Sequence, residues 1–359
     1  MKHSRTDALV RAVQANCSIA DARHAADLSL CIYLLQMREL FRWEQGLAFG
    51  AEVDREGLGH WLACRESRWR EIEDQAWVPL PIGQREFDAH DVELVNAALA
   101  PLGLVYGAGL AGTDRPTCFL AALHESKHRD DGLALLVCGR EYARGLFAPP
   151  AALVGGRMIV LRRESLARWL WEKFEAFSLR RSAGPMKALA DAYALHDTRA
   201  FVAALPRLVD DLCESLVLHE IGEHRAGRWL EPGWAAMRLA LDQRCTDLRV
   251  RAVRDHIADL EVTLPTLVER DEGIALHFWF ANYEGLRAQL FPTLGNAYAA
   301  WRSGDAGQAL LNAARFGATH FRGLAAQILG LHERLGMQAT PAIERLLAAP
   351  QAVCPAPAR

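Results

Sequence analysis

The chain lacks any Cys-x-x-Cys pair: its eight cysteines are scattered along 359 residues. Such spacing suits neither a zinc ribbon nor an iron–sulfur cradle, and no disulfide framework is expected. Long apolar runs are missing too. No stretch approaches the roughly 18 uninterrupted apolar residues of a membrane span. The amino-terminal stretch MKHSRTDALVRAVQANCSIADARHAAD is interrupted by charges, without the apolar centre of a secretory leader. A soluble, cytoplasmic protein without a membrane partner is therefore expected. Charge of one sign is also absent, because 41 Lys and Arg face 44 Asp and Glu for a net charge of -3. A protein that grips a phosphate backbone needs a basic footprint, so nucleic acid is not an expected partner. Neither G-x-S-x-G nor G-x-x-x-x-G-K-[ST] occurs, which leaves α/β-hydrolase and P-loop chemistry without support.

Hydrophobic residues make up 51% of the chain, ample for a sizeable core. Helical periodicity predicts one long helix over residues 20–45 and a second over 54–75, stopped by Pro79 and Pro81. Between residues 103 and 161 the short apolar runs CFLAAL, LALLVC and RMIVL alternate with turn signals such as Pro149-Pro150 and Gly155-Gly156. This texture predicts a small sheet of three or four strands. Helical periodicity resumes after Glu164. The expected fold is mainly α, a helical bundle body with a small inserted β-sheet (α+β) near residues 103–161. The expected organisation is an N-terminal segment 1–19, a single domain 20–349 and a disordered tail 350–359.

His124-Glu125-Ser126-Lys127-His128 matches the zincin pattern, in which two histidines one helical turn apart bind zinc and the glutamate activates water. Its context is polar, with Lys127, Arg129 and Asp130, and the flanking apolar runs read better as two strands of a hairpin around this stretch. Zinc hydrolysis here requires the segment to be helical. The glycine-rich GLVYGAGLAG at 103–112 reads as strand and turn, not as a dinucleotide loop. Trp169, Trp171, Phe174 and Phe177 surround one predicted helix and suit a core or a subunit interface, so a homo-oligomer is an allowed partner.

The most informative segment is RLVDDLCESLVLHEIGEHRAGRWL, residues 207–230. With His219 at 0°, Glu223 falls at about 40°, Glu220 at about 100° and His224 at about 140°, all on the arc that also carries Leu212, Leu216, Val209 and Val217. Buried charges of this kind cost several kcal/mol unless they are paired or bound to metal. Helical bundles that bind metals project Glu and His inward in this manner. Glu39 points inward on the 20–45 helix, His277 and Glu284 share a helix face two turns apart, and His256 lies among Ala252, Val253 and Leu260. A simpler reading pairs each carboxylate with an arginine, Glu39 with Arg251 or Arg254 and Glu223 with a neighbour.

The stretches YLLQMRELFRWE, GREYARGLFAPPA, LRRESLARWLWEKFE, LHEIGEHRAG and RAVRDHIADLEVTLP, with others over about residues 25–330, resemble an uncharacterised, mainly proteobacterial protein family known by a locus-tag name. The resemblance implies a soluble bacterial protein and no activity.

These patterns lead to an expected metal-dependent enzyme, a non-haem iron or di-metal carboxylate/histidine oxidoreductase in a helical bundle. Its expected ligands are Glu39, His219, Glu220, Glu223, His224 and His277, with His256 and Glu284 as additional or supporting groups. The expected cofactor is iron or another divalent transition metal, and the small-molecule substrate is open. The alternative is a helical interaction scaffold whose buried Glu–Arg pairs set the register. Convergence of the Glu39, Glu220 and Glu223 carboxylates within about 5 Å without an arginine between them would favour metal.

Overall fold

The structure, a computed structural model, describes residues 2–111, 115–129 and 132–355. It is mainly α with an inserted sheet. Where one domain was expected, the chain divides into two compact units. The first is Met1–Ala152 with Met158–Glu175 and Phe201–Leu205; the second is Leu153–Arg157, Ala176–Ala200 and Pro206–Arg359. Hydrophobic periodicity reports that a helix has a buried face but not which neighbour covers it, so this division was not legible along the chain.

In the first unit, α1 (Lys2–His24) and α2 (Leu30–Glu44) are separated by a 3-10 turn at Ala25–Asp27. The helix expected over 20–45 therefore breaks, and the expected N-terminal segment is part of α1. Ser29 takes the extended conformation at the start of α2, where a side chain that competes for backbone hydrogen bonds is tolerated. The break lets Ile19, Leu28, Met37 and Leu40 enter one apolar cluster with Leu146 and Phe147. Asp54 caps α3 (Arg55–Ile72) by accepting from Gly57 N–H at 2.9 Å. A two-stranded ribbon, β1 (Leu80–Ile82) with β2 (Arg85–Phe87), precedes α4 (Val92–Leu99).

The inserted sheet holds β3 (Leu104–Ala111), β4 (Arg115–His128), β5 (Ala134–Arg144), β6 (Ala151–Val154) and β7 (Met158–Arg162) in the order β3-β4-β5-β7-β6. The neighbours β3, β4 and β5 run antiparallel, whereas β5 and β7 are parallel. One face packs on α1, where Leu9, Val13 and Cys17 meet Tyr106, Leu120 and Ala143. Burying each large aliphatic side chain there contributes roughly 1.5–3 kcal/mol. The helix α5 (Arg163–Arg180) follows β7 directly, and its Trp171 and Phe174 are buried against Phe201.

The hairpin reading of residues 119–138 holds, with a later turn: β4 continues through His128, which pairs with Ala134. His124 and His128 therefore lie on one strand, about 13 Å apart at strand rise. Two zinc-bound imidazoles must each approach the ion to about 2.1 Å, so HESKH is not a zincin site.

Asp21 pins the exit of β5. It is buried, and both carboxylate oxygens accept from Leu146 N–H at 2.8 and 2.9 Å. Gly145 makes room, since a Cβ there would stand 2.9 Å from Asp21 Oδ1. Burial pushes the Asp21 carboxyl up to about 7, against the lowering effect of its bond from Leu146 and the charge of Arg65. A carboxyl raised on folding binds its proton more tightly in the native state, so its contribution is full below pH 3.8 and is lost as pH rises through about 7. Urea titrations of wild type and Asp21→Asn between pH 5 and pH 8 should differ in slope, the variant losing less stability with rising pH; parallel curves would refute the assignment.

The second unit is helical: α6 (Pro185–Ala192), α7 (Thr198–Leu230), α8 (Gly233–Leu239), α9 (Arg244–Ala258), α10 (Leu264–Glu269), α11 (Gly273–Ala281), α12 (Gly285–Leu290), α13 (Leu294–Arg302), α14 (Gln308–Leu335) and α15 (Thr340–Ala348). A π turn, Asp259–Thr263, joins α9 to α10. Pro265 explains it, because a proline ring clashes with the carbonyl four residues back and widening the helix relieves the clash. Part of the expected disordered tail is packed: Pro350–Ala352 forms a 3-10 turn, Cys354 is buried, and its N–H donates to Leu290 O at 2.7 Å. Residues 356–359 lie outside the described residues. Among the described residues no helix is long and apolar enough to cross a membrane.

Candidate metal centre

Two helices of the second unit build the site. Asp197 caps α7, accepting from Ala200 N–H at 2.8 Å, and about six turns along, His219 and Glu223 stand four residues apart on one face. Asp255 of α9 and Asp259 of the π turn repeat the same spacing. The helices approach closely at Gly222, where a Cβ would stand 2.4 Å from the Ala258 carbonyl oxygen. Because that neighbour is backbone, it cannot swing aside. We expect Gly222→Ala to destabilise the protein by about 1–3 kcal/mol or more, read as a lower urea midpoint; an unchanged midpoint would show that the helices can separate freely.

That approach brings one ligand atom each from His219, Glu223 and Asp255 within 4.8 Å of one another, all three side chains being partly buried. His219 Nδ1 lies 2.8 Å from Asp259 Oδ1, and Asp259 Oδ2 accepts from Arg287 Nη1 at 3.0 Å. With Nδ1 engaged, Nε2 is the imidazole nitrogen left for a ligand, an orientation that carboxylate partners commonly impose on metal-binding histidines. Burial opposes charge on His219, but the Asp259 carboxylate prevails and raises its pKa to about 10. Burial would likewise raise Asp259, yet His219 and Arg287 hold it below the ordinary carboxylate range. Asp255 is pushed up by burial and by the Glu223 charge, and buried Glu220 rises to about 7. Both upward shifts come first from burial and then from the Glu223 charge nearby.

Of the six expected ligands, the structure brings together only His219 and Glu223. Glu39 belongs to the first unit, where Arg38 and Arg42 pair with its Oε1 at 3.1 and 3.4 Å. Glu220 is buried beside the cluster without joining it. His224 turns to the Gly156 carbonyl at 2.8 Å. His277 meets Tyr298 Oη at 2.8 Å and the edge of Trp301. His256 is a core residue: it stacks on Phe321, reaches Arg287 O at 3.0 Å, and burial lowers its pKa to about 3. Glu284 precedes α12 and is not one of the three. The sequence pattern missed Asp255 and Asp259. Their four-residue spacing, matching that of His219 and Glu223, was the available signal.

The chain belongs to the family of unknown function DUF6866, whose N-terminal domain matches residues 8–162 and whose C-terminal domain matches residues 167–350. No curated protein and no solved structure matches it.

Proposed function

We propose that this chain is a metal-dependent enzyme that holds one divalent transition metal through His219 Nε2, Glu223 and Asp255. The observation that carries this reading is the convergence of these three groups within 4.8 Å, with the imidazole oriented by Asp259. One imidazole and two carboxylates suit iron(II), manganese(II) or zinc(II). Three protein ligands leave positions for water and substrate, as catalytic sites require. With iron the site would serve the expected oxidoreductase chemistry; with zinc it would activate water. Asp259 is committed to His219 and Arg287, which favours one ion over two.

A second reading is favoured by Arg254, which pairs with Glu223 at 3.3 Å and Glu231 at 3.5 Å. Together with the His219–Asp259–Arg287 chain this makes an ion-pair network that could set helix register without metal. Metal analysis separates the two. The chelator-stripped chain should take up about one equivalent of iron(II), manganese(II) or zinc(II). At a metal concentration of about 100 times Kd its Tm should rise about 5–10 °C. Because ligation displaces protons, uptake should tighten from pH 6.5 to pH 8. Less than about a tenth of an equivalent with an unchanged Tm would leave the ion-pair network as the answer.

A further inference from the structure

A cavity of about 310 Å³ in the first unit is separate from the metal cluster, and its size suits a small organic molecule. Its lining combines apolar Leu28, Ile32, Phe147 and Pro149 with polar Arg144, Ser165 and Arg168. Arg144 is 3% and Arg168 8% exposed, yet Arg144 Nη1 and Arg168 Nε have no hydrogen-bond partner. Buried donors left open in this way need a reason.

Carboxylates lie nearby, but none makes a hydrogen bond to either atom. Glu141 stands 3.9 Å from Arg144 Nη1, but it is committed to Arg162 through bonds of 3.1 and 2.8 Å and accepts from Ser165 Oγ at 2.6 Å. Arg168 approaches Glu164 only to 3.6 Å and gives Nη1 to the Glu39 carbonyl. Glu172, the acid in the cavity wall, is held by Gln36, and burial followed by the Glu39 charge pushes its carboxyl up to about 7. The wall is therefore net positive. A larger neighbouring cavity, about 680 Å³, is lined by four arginines and four glutamates and has no such excess.

We propose that the smaller cavity binds a monocarboxylate with an apolar body, its carboxylate on Arg144 and Arg168 and its hydrocarbon part against Ile32, Phe147 and Pro149. Guanidinium is the side chain best matched to carboxylate geometry. Inorganic phosphate would satisfy the arginines but leave the apolar lining empty.

Isothermal titration of the full chain, with chelator present so that no metal contributes, tests this with hexanoate and phenylacetate. Each should bind saturably at one per chain, with 1-hexanol and inorganic phosphate at least about ten-fold weaker. Arg144→Gln should weaken binding at least about ten-fold. Since that buried change could unfold the unit, Ile32→Glu provides the second variant. Ile32 is 47% exposed, so the fold should persist while a negative charge at the rim lowers carboxylate affinity by a similar factor. Absence of saturable binding by either acid up to about 10 mM, phosphate binding as tightly as hexanoate, or an unchanged affinity in folded Ile32→Glu would each overturn the proposal.

Discussion

Replacing Asp255 with asparagine should abolish the metal-dependent rise in Tm while leaving the metal-free protein as stable as wild type or slightly more so. Asp255 is partly buried and its carboxyl is raised by burial and by Glu223. A neutral side chain of the same shape removes that repulsion in the metal-free state. The same change deletes one of three ligands, so the expected increase of about 5–10 °C should fall to within about 1 °C. His219→Ala should also remove the metal response, but with a loss of metal-free stability, because buried Asp259 then loses its imidazole partner. The opposite signs in the metal-free proteins distinguish a repelled ligand from a paired one. A wild-type metal response that survives in Asp255→Asn would remove Asp255 from the site.

Glu141→Ala should be the most damaging single change in the first unit. Glu141 is 3% exposed and Arg162 2% exposed, with Arg144 behind them. Burial would raise the Glu141 carboxyl, yet Arg162 and Arg144 hold it below its ordinary value. Removing the carboxylate strands the Arg162 guanidinium in the interior, and breaking a buried pair in this way costs about 3–5 kcal/mol. The unfolding temperature should drop by roughly 6–20 °C for a unit of this size. Glu141→Leu combined with Arg162→Met should recover part of the loss, because no ion is then stranded at that pair. A drop below about 2 °C in the single variant would mean that water or a rearranged acid already shares the load.

The two halves of the candidate metal cluster were not equally legible in the sequence. His219 and Glu223 stand on an apolar arc at a spacing that any helix converts into neighbours. Asp255 is followed at once by His256, whose buried imidazole sits among apolar residues and dominates the same local pattern. Only the crossing of α7 and α9 at Gly222 shows that the aspartate, and not the histidine beside it, meets Glu223. Glu39 shows the converse. Its inward position on α2 was legible and correct, since it is 1% exposed, but its partners are Arg38 and Arg42 of its own helix.

By itself the sequence determined the class of fold, the inserted sheet, the lack of a long apolar run and the burial of several ionisable side chains. Those properties depend on local periodicity and composition, which operate along the chain. Tertiary structure alone decided which ionisable side chains gather where α7 crosses α9 and which pair with arginines of their own helix. That choice depends on distances of a few ångströms between segments remote in sequence, and Coulomb and ligand-field interactions fall away over just that range.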